Sequence, residues 1–341
     1  LLYWPESDVT REEIVQAVRH LEPATSFRSA YAYDNILYHA AALVIEEVSG
    51  QTWEEFVHSR IIEPLGMADT RVTRASTLEE GNVAATHARV EGVVRLVTPL
   101  AATATNAAGG INSTAADMAK WMIVQLDSGR VAGGDPVFSP RTTRELWKGV
   151  TPMPIGPRSG PLAPLLPEFQ SYALGFVVRD YRGHKLVTHT GGLPGYVSRV
   201  AMIPDLKLGV AVLTNQEVGA AFEAITARVL DHYLGAEPID WIEVWDGVIS
   251  RRDSIRAERD RSTAAARDTE SRPSRELSAY AGTYTDAWYG DVVIREGDGG
   301  LEEFGGELKL RQRQEDVFLC LHELAERFLS DVADGVDEVD A

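Results

Sequence analysis

Lysine is scarce in this chain. Only Lys120, Lys148, Lys185, Lys207 and Lys309 occur, so arginine supplies most of the 33 basic residues, against 51 acidic ones. The net charge of −18 argues against a nucleic-acid partner, because such proteins gather Lys and Arg to meet the phosphate backbone. An acidic, lysine-poor surface suits high salt, where self-repulsion is screened, as well as it suits an ordinary acidic protein. Cysteine occurs once, at Cys320, which excludes an intramolecular disulfide and a cysteine-rich metal site. There is no His-Glu-x-x-His run. His184 and His189 fall on one expected strand but point to opposite faces, a poor chelating pair. No metal and no cofactor is therefore expected. No apolar run approaches the roughly 20 residues of a membrane helix, so no spanning segment is expected. Residues 1–5 lack the basic start and apolar core of a signal peptide, and Leu1 is not an initiator Met. The true N-terminus is expected upstream, which leaves the compartment open.

What is present suits a globular chain. Hydrophobic residues make up 44% and charged residues 25%, enough for one large domain and something small beside it. Thr10 and Glu13 have capping-box spacing ahead of an apolar stripe of Ile14, Ala17, Val18 and Leu21. Helix is expected again from about Asn35 to Ser49, with Leu37, Ala41, Val44, Ile45 and Val48 on one side and Gly50 ending it. Thr52–Arg60 reads as a further helical piece, and residues 70–105 as mixed and short-stranded. Thr114 and Asp117 mark the start of a helix whose buried stripe is Met118, Trp121, Met122 and Leu126. Residues 150–167, rich in Pro and Gly, read as a loop.

From Tyr172 the apolar period changes to two. Tyr172–Arg179, His184–Thr190, Tyr196–Ile203 and Leu208–Thr214 are expected strands, and short turns at 182–183 and 205–207 imply antiparallel pairing. Glu217–Leu234 returns to helix. The fold class is α/β: one antiparallel sheet flanked by helices, not a doubly wound one. Residues 1–235 are expected to form the main domain, 236–275 a charged helical linker, and 276–341 a small, incomplete β unit. Strand periodicity fades after Gly300, and a helix over 317–329 precedes an acidic tail.

Three motifs occur in order: Tyr33-x-Asn35 at a helix start, Gly109-Gly110-x-Asn112-Ser113-Thr114-x-x-Asp117, and His189-Thr190-Gly191-Gly192 on a strand. Tyr38, Val48-Ser49-Gly50, Pro64-Leu65-Gly66-Met67 and Tyr172-Ala173-Leu174-Gly175-Phe176 add context. Together they resemble the serine β-lactamase and penicillin-binding-protein superfamily, over roughly Thr10–Leu234. The branch they resemble is the class C β-lactamase-related hydrolases, which include esterases and D-amino-acid peptidases. Residues 277–295 are similar to the start of the small β-barrel that some of these hydrolases carry.

The resemblance implies a β-lactamase/transpeptidase-like fold and a serine that forms an acyl-enzyme. It implies Tyr33 as the phenol that takes and returns the proton, and Asn35 as a hydrogen-bond partner of the substrate amide or the motif lysine. Thr190, Gly191 and Gly192 would hold the substrate at a strand edge, with the Gly192 N–H in the oxyanion hole. His189 stands where the family usually has Lys, so a fixed cation becomes an imidazole titrating near ~6.5. That favours esters, amides or D-amino-acid peptides over a β-lactam carboxylate. No Ser-x-x-Lys occurs anywhere in the chain, so the nucleophile is expected upstream, together with the first strands of the sheet.

Simpler roles stand beside these. Tyr33 also fits a helix-start aromatic, Asn35 an N-cap, His189 a satisfied strand histidine, and Gly191-Gly192 a turn. Thr114 and Asp117 fit capping. Trp4, Tyr31, Trp121 and Trp147 fit core or rim positions. The joint order of the motifs carries the site assignment. The rival function is a non-catalytic binding or scaffolding relative of the same fold.

Overall fold

The computed structural model describes residues 9–73, 77, 82–90, 92–99, 103–157, 159–266, 276–288, 290–297 and 300–305. Trp4, Cys320, the helix expected over 317–329 and the acidic tail lie outside them. The described residues fall in two compact units, over 9–266 and over 276–305.

The first unit opens with α1 (Arg11–Ala17), started by the Thr10–Glu13 capping box. Helix α2 (Ile36–Ser49) ends where Gly50 takes φ of 68°, a value an L side chain resists. Helix α3 (Trp53–Val57) starts at a Thr52–Glu55 capping box and runs into a wide π-type turn over His58–Ile62. A two-stranded hairpin, β1 (His87–Val90) with β2 (Val93–Leu96), follows. Next come α4 (Asn106–Gly109), α5 (Ala115–Leu126) and α6 (Pro140–Leu146). Ser139 caps α6 with Pro140 in its first turn, a start signal that the loop-rich surroundings had masked.

The sheet is a six-stranded antiparallel meander in the order β3 (Thr151–Pro152), β4 (Gln170–Tyr172), β5 (Val177–Tyr181), β6 (His184–Leu193), β7 (Tyr196–Ile203) and β8 (Leu208–Thr214). Helix α7 (Gly219–Tyr233) and α8 (Trp241–Ala266) complete the unit. Alternation of side chains gives the sheet two apolar faces. Val178, Val187 and Met202 pack with Met122 and Leu126 of α5, while Leu186, Ala201 and Ile203 pack with Leu230 of α7. A third cluster joins Ala42 of α2, Trp53 and Val57 of α3 and Val124 of α5. The sheet thus sits between α7 and a helical layer.

Two expectations need correction. The α2 stripe is not a core face, because Leu37, Val44 and Val48 are 59%, 63% and 82% exposed; only Ile45 of that set packs against the third cluster. The residues α2 buries are His39 and Ala42. The charged stretch after residue 235 is helical, and Trp241 in the first turn of α8 is buried and bonded to Asp231 of α7. Strand order does not fade at Gly300. In the second unit, β9 (Gly282–Asp286), β10 (Gly290–Gly297) and β11 (Gly300–Gly305) form an antiparallel sheet in the order β11-β10-β9.

Candidate active site

A cleft of about 890 Å³ is lined from both layers, with Tyr33 and Asn35 on the helical side and His189, Thr190, Gly191 and Gly192 on the sheet side. Tyr33 and Asn35 lie just ahead of α2. Asn35 occupies the cap position but makes no cap hydrogen bond; Asp34 Oδ1 instead accepts from the Ile36 N–H at 2.5 Å. The Asn35 side chain therefore lines the cleft without serving as an N-cap.

Rings gather around this point. The Tyr33 centroid lies 6.0 Å from His189 and 5.8 Å from Tyr172, and the Tyr31 ring lies 5.7 Å from Tyr172, tilted by 43°. Tyr33 is 45% exposed, so it is no buried helix-start aromatic. The Tyr38 and Tyr172 hydroxyls are 2.6 Å apart, and Tyr172 Oη lies 3.2 Å from His189 Nε2. His189 Nδ1 lies 2.7 Å from the Thr190 carbonyl.

Burial lowers the His189 pKa from its ordinary value, against the opposing pull of the Thr190 carbonyl. The imidazole is thus further from being a cation at neutral pH than an exposed histidine. Burial pushes the Tyr172 phenol far up, and burial raises Tyr31 too. Both hold their protons. The sequence motifs gave Tyr38 and Tyr172 only as context, and their meeting across 134 residues carries no local signal.

Strand β6 offers an edge here. Its pairing with β5 stops at Thr188, while residues 189–193 pair only with β7 among the described residues. A substrate chain has room to lie along the open side. The two glycines differ in why they are needed. A Cβ on Gly191 would fall 2.5 Å from Ser198 Oγ, whereas one on Gly192 meets nothing within 4 Å. Only Gly192 leaves space that a bound molecule could use.

The opposite wall is pinned by Asp117. Thr114 caps α5 as expected, but the Asp117 carboxylate does not return to the cap. It is 1% exposed and accepts from the Asp69 N–H at 2.8 Å, Thr70 Oγ1 at 2.9 Å and Lys120 Nζ at 2.8 Å. Thr70 Oγ1 also meets Ser113 Oγ at 2.8 Å, and Arg71 and Asn112 exchange backbone hydrogen bonds of 2.9 and 2.8 Å. Burial alone would raise the Asp117 pKa, but the bonds from Lys120, Thr70 and the Asp69 N–H outweigh it and the net shift is downward. Asp117→Ala is expected to lower stability at pH 7 by roughly 2–3 kcal/mol, the scale of hydrogen bonds to a charged acceptor. A depressed carboxylate stabilises above its unfolded pKa of about 3.9, so the gap between the proteins should close as pH falls below that value. Urea midpoints at pH 7 and pH 3 test this, and equal midpoints at pH 7 would refute it.

Among the described residues no group of His, Cys, Asp and Glu could hold a metal ion, and no helix is long and apolar enough to cross a membrane.

Comparison with known proteins fits this geometry. The β-lactamase family model matches residues 2–234, and a second model, a domain of unknown function (DUF3471), matches residues 266–335. The chain is 27% identical over 314 residues to the unguisins hydrolase ungD of Aspergillus violaceofuscus, covering 86% of this chain and 54% of that protein. It spans about half the length of the curated relatives it matches first. Among solved structures, the octameric penicillin-binding protein homologue of Pyrococcus abyssi superposes with a TM-score of 0.58 at 21% identity, over 86% of this chain and 60% of that one. The class C β-lactamase of Rhodobacter sphaeroides gives 0.51 at 17% identity, over 67% and 68%. The chain belongs to the β-lactamase family, within the superfamily of serine β-lactamases and penicillin-binding proteins.

Proposed function

We propose that this chain carries most of the active site of a serine hydrolase that works through an acyl-enzyme on small esters, amides or D-amino-acid peptides. In this reading Tyr33 moves the proton, Asn35 orients the substrate amide, and the β6 edge at Thr190–Gly192 holds the acyl group. One observation carries it: Tyr33, Asn35 and His189 come from two layers of the fold and line one cleft beside an unpaired strand edge. The 27% identity to a protein named as a hydrolase supports the reaction class.

The 341 residues alone are not expected to turn over. Of the serines, Ser113 and Ser198 line the cleft, and the residues three further on are Ala116 and Ala201 rather than Lys. The exposed α2 stripe of Leu37, Val44 and Val48 offers an apolar surface for a helix bearing Ser-x-x-Lys. A site without its nucleophile keeps at most ~10³–10⁴-fold over water, below what ordinary assays detect.

The missing motif also favours the rival, a non-catalytic binding protein. The test compares the 341-residue chain with a longer form carrying the upstream coding sequence. Fluorophosphonate labelling and p-nitrophenyl acetate hydrolysis are the readouts. The longer form is expected to label on one serine and hydrolyse the ester; the short one is not. A longer form that lacks Ser-x-x-Lys and does neither would support the rival. Stoichiometric labelling of the short chain would place the nucleophile among its own serines.

A further inference from the structure

We infer that Tyr172 is a positioning residue for His189: with Tyr38 behind it, it locks the imidazole as the neutral Nδ1–H tautomer with Nε2 as acceptor. The argument is one of hydrogen counting. A carbonyl oxygen only accepts, so the 2.7 Å contact between His189 Nδ1 and the Thr190 carbonyl requires a proton on Nδ1. A neutral ring then has a bare Nε2. The Tyr172 hydroxyl, 3.2 Å away, donates to it. Having one hydrogen, Tyr172 is left as the acceptor toward Tyr38 Oη at 2.6 Å. The chain therefore has one direction: Tyr38 to Tyr172 to His189 to the Thr190 carbonyl.

This line crosses the cleft from α2 through β4 to β6. It ties the helical side of the site to the strand edge that the proposed function uses. The lifted Tyr172 pKa agrees with a phenol that never gives up its proton. The lowered His189 pKa agrees with a ring held neutral on both nitrogens. The groups facing the imidazole are the Tyr33 and Tyr172 rings, with Tyr38 one bond further out. No charged side chain among the described residues figures in the shift of His189, whose causes are burial and the Thr190 carbonyl. A histidine with both nitrogens engaged cannot replace the fixed cation that the family usually has there. It contributes shape and a buried acceptor instead.

The inference concerns the site of the proposed hydrolase, but its test needs no turnover. Two-bond ¹H–¹⁵N correlation spectra of the ¹⁵N-histidine-labelled 341-residue chain report the tautomer of each ring, and His189→Gln assigns the signal. The expected wild-type pattern is Nδ1–H with an acceptor Nε2, and a titration midpoint below ~6.5. Tyr172→Phe removes the donor that favours a bare Nε2, so the midpoint should rise toward ~6.5, while the neutral ring keeps the Nδ1–H that the Thr190 carbonyl holds. Tyr31→Phe, which loses a hydroxyl from a ring tilted against Tyr172, should leave the His189 signal unchanged. An Nε2–H tautomer in the wild type would overturn the inference without any variant. So would an unchanged midpoint in a folded Tyr172→Phe protein. These outcomes leave the hydrolase reading standing, since that reading falls on labelling and ester hydrolysis.

Discussion

In a form of the protein that carries the nucleophile, Tyr33→Phe is expected to cut kcat by about 10²–10⁴-fold, the usual contribution of a positioned acid–base group. That is about 2.7–5.4 kcal/mol of barrier, at 1.36 kcal/mol per tenfold. KM should change little, because the phenyl ring keeps the wall of the cleft. Folding should also survive: Tyr33 is 45% exposed, and Phe keeps its ring contacts to Tyr38, Tyr172 and His189 at 6.4, 5.8 and 6.0 Å. Neighbouring phenols are poor substitutes. Tyr172 and Tyr31 both have raised pKa values, and the Tyr38 hydroxyl is engaged with that of Tyr172 at 2.6 Å. Steady-state kinetics and the rate of fluorophosphonate labelling should fall together. A kcat within threefold of wild type would remove Tyr33 from proton transfer and leave it a wall residue.

How much of this is legible in the sequence depends on the distance over which a signal acts. Strands β7 and β8 agree with their expected bounds, because alternation and the turn at Pro204–Lys207 are local. The Arg182–Gly183 turn was legible for the same reason: both residues have positive φ, 47° and 81°, as a tight hairpin requires. The α2 stripe shows the limit. Periodicity finds an apolar face but not what covers it, and Leu37, Val44 and Val48 face outward among the described residues. Asp117 shows another. A capping position was readable, while its bonds to Asp69 and Thr70 span 48 and 47 residues. The site was half legible. Motif order brought Tyr33, Asn35 and His189 together, but the Tyr38–Tyr172–His189 line joins elements whose adjacency only the fold creates.

Asp231→Ala is expected to be the most damaging single truncation in the first unit, by roughly 3–5 kcal/mol, the cost of stripping a buried ionic group from its partners. Asp231 is 2% exposed, in the last turn of α7. It accepts from Tyr181 Oη at 2.6 Å, from Arg182 Nε and Nη2 at 2.5 and 3.0 Å, and from Trp241 Nε1 at 2.8 Å. One carboxylate thus joins the β5–β6 turn, the end of α7 and the first turn of α8. Alanine would leave the indole N–H, the phenol and a half-covered guanidinium without their acceptor, beside two apolar clusters that offer no replacement. Thermal midpoint should drop by about 6–20 °C for a unit of this size. The sign with pH follows from the carboxylate. Burial would raise its pKa, but the bonds from Arg182, Tyr181 and Trp241 overcome that and lower it. A lowered carboxylate stabilises above its unfolded pKa of about 3.9 and loses that contribution as pH falls through the folded value. The variant should therefore trail the wild type at pH 7 and approach it below pH 4. Asp253, 59% exposed and paired with a 53% exposed Arg89, is the control. Its alanine variant should shift stability by less than about 0.5 kcal/mol. Calorimetric scans at pH 7 decide the matter, and an Asp231→Ala midpoint as close to wild type as that of Asp253→Ala would show that the core holds α8 without the carboxylate.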